Sequence, residues 1–220
     1  MSTVNFNQVS KDELKNIIDG LFAQICTIGL CLDTLSALKE IGNEKIQSLK
    51  ANNFFYITHT SLIFRYHLEL SKLLNDNEKM SIKKISTKVC NNCHYFKNPE
   101  EVKNICKDLE QKLIKYTDIN KILISRRNKV FAHNDKKYYY YSIQYTYDFP
   151  LTDDLDLICE EVVVLYDFAK DMQEQIGGSF KGKTYPSSPD DVKHLFGMKT
   201  DFEKENEKAF EEIMKLWNKE

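Results

Sequence analysis

Apolar positions recur every three or four residues along most of this chain. After Ser10 they fall at Leu14, Ile17, Ile18, Leu21, Phe22, Ile25, Ile28, Leu32, Leu35, Leu38 and Ile41. That spacing predicts one helix of about 30 residues, about 45 Å long. Ser10-Lys11-Asp12-Glu13 has the capping-box pattern at its start. Gly20 and Gly29 lie inside the helix, where each costs about 1 kcal/mol against Ala. They mean either mild fraying or a face made for close packing on another helix or a protein partner.

Gly42-Asn43 breaks the pattern, and a second long helix is expected from about Glu44 to Leu74. Its middle, FFYITHTSLIFRYHLELSKLL, is apolar on most sides and belongs in a core. His59 and His67 on it read first as structural histidines, and Arg65 with Glu69 as an i, i+4 ion pair. Asn75-Asp76-Asn77 is a turn, after which Ser81 can cap a short helix to about Val89. Pro99 suits the first position of the next helix, which runs to Ile114. The chain then turns or kinks near Tyr116-Thr117-Asp118, and Thr117 or Asp118 can cap a segment carrying Ile119, Ile122, Leu123, Val130 and Phe131. KKYYYYSIQYTYDFPLT is too aromatic for a bare loop and reads as an ordered connection, with room for a short β-like piece. A last bundle helix follows from about Asp153 to Ile176, closed by Gly177-Gly178.

The expected fold is thus all-α: an up-down bundle of about five main helices with a C-terminal helical tail. Residues 1–178 form the bundle, 179–189 a linker marked by the glycines and prolines of 177–189, and 190–220 an amphipathic tail. Scarcity of breakers (7 Gly and 4 Pro in 220 residues) favours long helices over a many-turned β fold. No signal-peptide pattern opens the chain, and no uninterrupted apolar run approaches the roughly 18 residues of a membrane span. A cytoplasmic protein with no membrane contact is expected, and its 6 cysteines should be reduced thiols.

Formal net charge is −2, so any contact with nucleic acid must come from a local patch. The patch is Lys121–Tyr138, KILISRRNKVFAHNDKKY, where Arg126, Arg127, Lys129, Lys136 and Lys137 surround His133. Lysine supplies nearly all the positive charge elsewhere, yet two arginines stand here side by side. A guanidinium presents a rigid fork of donors matched to phosphate oxygens. A histidine can move a proton to or from a ribose hydroxyl near neutral pH. Asn128 can hold a phosphate oxygen or fix the histidine. The alternative is a basic helix end that only complements the helix dipole.

Geometry constrains the catalytic reading. On a straight helix Arg127 and His133 lie about 120° apart, whereas Arg126 and His133 share a face. Either the helix deforms or ends near Ala132, or a second subunit completes the site across a two-fold axis.

Other chemistry is thin. Cys90-x-x-Cys93-His94 has the spacing of covalent haem attachment, but export is not indicated, and a zinc site would need further ligands. Structural thiols are the expected reading there. Phosphate-binding glycine loops, H-E-x-x-H and G-x-S-x-G are absent. No metal and no cofactor is called for.

Arg127-Asn128-Lys129-Val130-Phe131-Ala132-His133 resembles the R-[N/D/H]-x(3–5)-H motif of HEPN domains. Ala132-His133-Asn134-Asp135-Lys136 is similar to the ending of that motif in the abortive-infection AbiU-like branch, and FFYITHTSLIFRYHLELSKLLND and FPLTDDLDLICEEVVVLYDFA also resemble that branch. The resemblance spans roughly residues 10–178. It implies an endoribonuclease of a toxin–antitoxin or abortive-infection (anti-phage) system that needs no metal, cutting RNA through 2′-hydroxyl attack to leave a 2′,3′-cyclic phosphate. Arg127, Asn128 and His133 would be catalytic. Arg126, Lys129, Lys136, Lys137 and Tyr138 would hold RNA. A homodimer is implied, and an antitoxin protein is a candidate partner. In some such toxins a tyrosine two residues after the histidine is modified by the antitoxin; here that position is Asp135. The competing expectation is a HEPN-like module that binds RNA or protein without catalysis. A structural or regulatory helical protein is the third.

Overall fold

The computed structural model describes residues 9–40, 53–131 and 155–177. Six α-helices carry them: α1 (Lys11–Glu40), α2 (Asn53–Leu74), α3 (Ile82–Asn91), α4 (Pro99–Ile114), α5 (Thr117–Arg126) and α6 (Leu155–Ile176). A 3-10 turn, Cys93–Tyr95, follows α3, and a π turn, Arg127–Phe131, follows α5. No strand occurs among the described residues. The fold is the all-α helical bundle that the apolar spacing predicts.

α1 is its spine. Leu14, Ile18, Leu21, Ile25, Ile28, Leu32 and Leu35 alternate steps of four and three residues, and all are buried. In α6 the same alternation runs through Leu155, Ile158, Val162, Leu165, Ala169, Met172 and Ile176, again all buried. Such alternation keeps an apolar stripe on one side of a helix, so two helices can close a seam along their length. α1 and α6 pack together in this way. Gln173 Nε2 donates to Asp19 Oδ1 at 2.8 Å, and the rings of Phe22 and Tyr166 lie 5.3 Å apart. Numbers rise along α1 as they fall along α6, so the two are antiparallel. Each fully buried Leu, Ile or Met in the seam is worth roughly 1.5–3 kcal/mol.

α4 is fastened to α6 at both ends, also antiparallel. Lys97 N–H donates to Gln175 O at 2.9 Å and Gln175 Nε2 to Glu101 Oε2 at 2.9 Å at one end. Lys115 Nζ meets Glu160 Oε2 at 2.6 Å at the other. α2 packs on α1, where Gln24 Nε2 reaches both Glu69 O (3.1 Å) and Glu69 Oε2 (3.2 Å). α5 lies against α2.

The predicted helix starts are mostly made. Ser10 Oγ accepts from Glu13 N–H at 3.1 Å, Ser81 Oγ from Lys84 N–H at 3.4 Å, and Asn98 Oδ1 from Glu101 N–H at 3.4 Å with Pro99 next to it. α5 differs. Neither Thr117 nor Asp118 caps it; Tyr116 holds that position with no side-chain bond, and Thr117 Oγ1 donates back to Ile114 O at 2.8 Å. The physical reason is that α4 and α5 are almost continuous. Tyr116 is pulled into the core, 4% exposed, and its burial bends the chain instead of a polar cap. Gly177, at φ 80°, ends α6 in a left-handed conformation that suits glycine.

Other expectations need correction. Glu69 pairs with Lys72 at 3.4 Å rather than with Arg65. A Cβ at Gly20 or Gly29 would meet nothing within 4 Å, so neither glycine serves close packing within the described chain. By length and composition, Lys11–Leu38 is apolar enough to cross a membrane, which a search for uninterrupted apolar runs does not bring out. Half of an 18-residue apolar window in that stretch is buried inside the protein, because its apolar stripe is the bundle's core seam. The start of the second helix, the tyrosine-rich connection, the linker 179–189 and the tail 190–220 lie outside the described residues.

Candidate functional site at a π turn

The basic motif begins where α5 changes character. Up to Arg126 the segment is α-helical; from Arg127 to Phe131 it widens into a π turn. The π form is rare, occurs mostly as single turns, and is frequent at functional sites. No Gly or Pro lies in RNKVF to account for the change. It falls where two adjacent side chains are drawn to different partners, one into the core and one to the turn between α2 and α3.

Arg126 is the inward one. Expected on the RNA-binding face, it is instead 0% exposed. Its Nη1 lies 3.4 Å from His67 Nε2 on α2. His67 Nδ1 is 2.9 Å from Ile63 O, and a carbonyl can only accept, so Nδ1 carries the proton. Neutral His67 therefore has an acceptor at Nε2, able to receive from Arg126 and from the Tyr66 hydroxyl 3.5 Å away. Burial, reinforced by the neighbouring Arg126 charge against the opposing pull of the Ile63 bond, pushes His67 down to about 3. The histidine thus stays neutral and structural, as expected of it. Arg126 ties α5 to α2, and a buried side chain cannot reach a polyanion.

Arg127 turns the other way. Its Nη2 meets Glu78 Oε1 at 2.7 Å, with side-chain exposures of 17% and 35%. Arg127 Nε is buried and has no acceptor. Glu78 sits in the α2–α3 turn, where Glu78 N–H donates to Asn75 O at 2.9 Å and Lys84 Nζ donates to Glu78 O at 2.7 Å. Asn75 Oδ1 in turn accepts from Asn77 N–H at 3.1 Å, the local bond that shapes the turn. Asn128 and Lys129 follow on the π turn and are exposed. The fold thus gives the expected site residues different fates. Arg127 is held at the rim, Asn128 and Lys129 face outward, and Arg126 is withdrawn. His133, Lys136, Lys137 and Tyr138 lie outside the described residues.

Glu78 was not among the residues singled out from sequence. It is one of two acids, with Asp76, in the turn between α2 and α3, 49 positions before Arg127, and only the packing of α5 on α2 brings Glu78 and Arg127 together. Glu161 on α6 was missed in the same way. It is 0% exposed, and its Oε1 accepts from Asn120 Nδ2 of α5 at 2.7 Å. Burial raises its carboxyl to about 7, against the lowering effect of the Asn120 bond. Glu161 Oε2 and Asn120 Oδ1 are both buried without a donor. A proton on Glu161 would give the carboxyl a donor of its own.

Cys90, Cys93 and Cys106 are free thiols around the α3–α4 junction. Burial pushes Cys106 up to about 12, which holds it as a thiol, and its Sγ lies 3.8 Å from Ser86 O. Among the described residues no group of three His, Cys, Asp or Glu side chains could hold a metal ion.

Residues 11–195 match the sequence model of the HEPN_AbiU2 family, described as AbiU2. No curated protein and no solved structure matched the chain. The family match covers far more than half of the 220 residues, takes in every described helix, and includes the Arg-Asn pair at the π turn. The chain therefore belongs to the AbiU2 family of HEPN domains.

Proposed function

We propose that this HEPN domain is an endoribonuclease of an abortive-infection system. The 2′-hydroxyl of a ribose attacks the adjacent phosphate, the 5′-oxygen leaves, and the 3′ end becomes a 2′,3′-cyclic phosphate. His133 moves the proton, Arg127 stabilises the charge that builds on the phosphate, and Asn128 positions a phosphate oxygen. Lys129, Lys136, Lys137 and Tyr138 hold the flanking RNA by charge and stacking. The observation that carries the reading is the placement of Arg127 and Asn128. The two polar residues that open the family motif occupy a π turn at the protein's rim, while the neighbouring Arg126 anchors that turn in the core.

A homodimer fits the proposal. Arg127 and His133 diverge on a straight helix, and a two-fold axis through the motif would let each subunit complete the other's site. Mixing Arg127→Ala with His133→Ala protein would then restore about one quarter of the activity, because half the dimers are mixed and each carries one intact site. An antitoxin protein that covers the motif would be the natural means of silencing it.

The direct test is incubation with RNA in EDTA, followed by analysis of the 3′ ends. Wild type should leave cyclic phosphate ends, and His133→Ala should retain its circular dichroism while losing all cutting. Equal cutting by that variant would sink the proposal. Salt-sensitive RNA binding with no cleavage by wild type would replace it with a non-catalytic RNA-binding role.

A further inference from the structure

We propose that Glu78 is an acidic latch on Arg127, displaced when a phosphate enters the site. The inference rests on reading Arg127 as a phosphate ligand and assigns that site a control the motif does not contain.

Three observations carry it. The first is which edge of the guanidinium Glu78 occupies. Nε and Nη2 form the side that grips an oxyanion with two parallel bonds. Glu78 Oε1 takes Nη2 at 2.7 Å, while Nε is buried and bare. Glu78 thus sits where one phosphate oxygen would go, and the Nε beside it is buried without an acceptor while Glu78 is in place.

The second is how Glu78 is mounted. Its main chain is fixed at both ends, by Glu78 N–H to Asn75 O (2.9 Å) and by Lys84 Nζ to Glu78 O (2.7 Å). Its side chain is 35% exposed. The carboxylate can swing into solvent about its own side-chain torsions while the turn stays as it is. Arg127 has no such freedom at its base, because Arg126 beside it is locked into α2 against His67.

The third is charge. A carboxylate and a phosphate at one guanidinium repel each other, so both cannot occupy this edge. In the free protein the latch occupies Arg127 Nη2 and keeps weak anions off. A polyanion that also engages the neighbouring lysines can displace it. The latch thus raises the threshold for binding rather than blocking it.

Arginine Nε–H signals test this directly, since the chain has only Arg65, Arg126 and Arg127 and an Arg127→Lys variant identifies the third by its loss. Inorganic pyrophosphate is titrated into wild type, Glu78→Gln and Glu78→Ser, each checked for its fold by circular dichroism. The Arg127 signal should move at roughly tenfold lower pyrophosphate in both Glu78 variants. An unchanged or higher midpoint in both overturns the latch. RNA cleavage is followed in parallel. If the midpoint falls as expected and no variant cuts RNA, the latch stands and the ribonuclease reading fails. If wild type cuts RNA through His133 and the midpoint does not move, the ribonuclease stands and the latch fails.

Discussion

Arg126 Nη1 lies 3.4 Å from His67 Nε2, and neither side chain is exposed. This contact, made across 59 positions of sequence, fixes the end of α5 to α2 just before the π turn. It turns the first arginine of the motif into an anchor and leaves the second to face the rim. Arg126→Ala should therefore cost about 1.5–3 kcal/mol, as losing a buried hydrogen bond from a charged group does, measured by urea denaturation. Arg126→Lys should recover only part of this, because a compact ammonium lacks the planar reach of the guanidinium. A loss under about 1 kcal/mol for the alanine variant, at the level of a surface pair, would contradict the anchor.

Two buried groups set opposite pH trends in stability. Glu161 is raised from 4.5 to about 7 by burial, so the folded chain holds a proton there that the unfolded chain releases. Its contribution is complete below about pH 4.5 and is lost as pH rises through about 7. His67 is lowered from 6.5 to about 3, so the unfolded chain takes up a proton that the folded chain refuses. Its contribution is complete above about pH 6.5 and is lost as pH falls towards 3. Glu161→Gln should remove the decline on the neutral side and leave the acid limb intact. Urea midpoints from pH 4 to 8 would show it, and a decline that persists in the variant would place its source elsewhere.

Gly20 and Gly177 should respond to alanine with opposite signs. Gly20 is exposed on α1 with nothing within 4 Å of an added Cβ, so Gly20→Ala should stabilise by about 1 kcal/mol. Gly177 sits at φ 80°, where an L side chain is strained, so Gly177→Ala should destabilise by about 1 kcal/mol. Thermal midpoints of the two variants check both. A destabilised Gly20→Ala would reveal that something packs on this face in solution.

Cys106 should resist alkylation by iodoacetamide in the folded protein. Burial holds its thiol near 12, far from the thiolate that reacts. Cys90 and Cys93, each half-buried, should react first. Modification mapped by mass spectrometry after a short exposure at pH 8 gives the order; Cys106 labelled as fast as the other two would contradict it.

The helices were legible in the sequence because they rest on local chemistry. Ser10, Ser81 and Pro99 announce helix starts within one turn of themselves, and the four-three alternation of α1 and α6 reports a buried stripe without reference to any partner. The motif Arg127-Asn128 was legible for the same reason, as a short string of residue types suited to phosphate. The tertiary structure alone decided how those residues are used. On helix geometry Arg126 shares the face of His133, yet it is buried on α2, and Arg127 is held by Glu78 from a turn 49 positions away. The Asn120–Glu161 pair and the Tyr116 bend likewise depend on which helices meet. Helical periodicity is a property of neighbours within a few residues and is written in the sequence. The burial of a charge, and the partner that makes it tolerable, depend on which distant segments the core brings together.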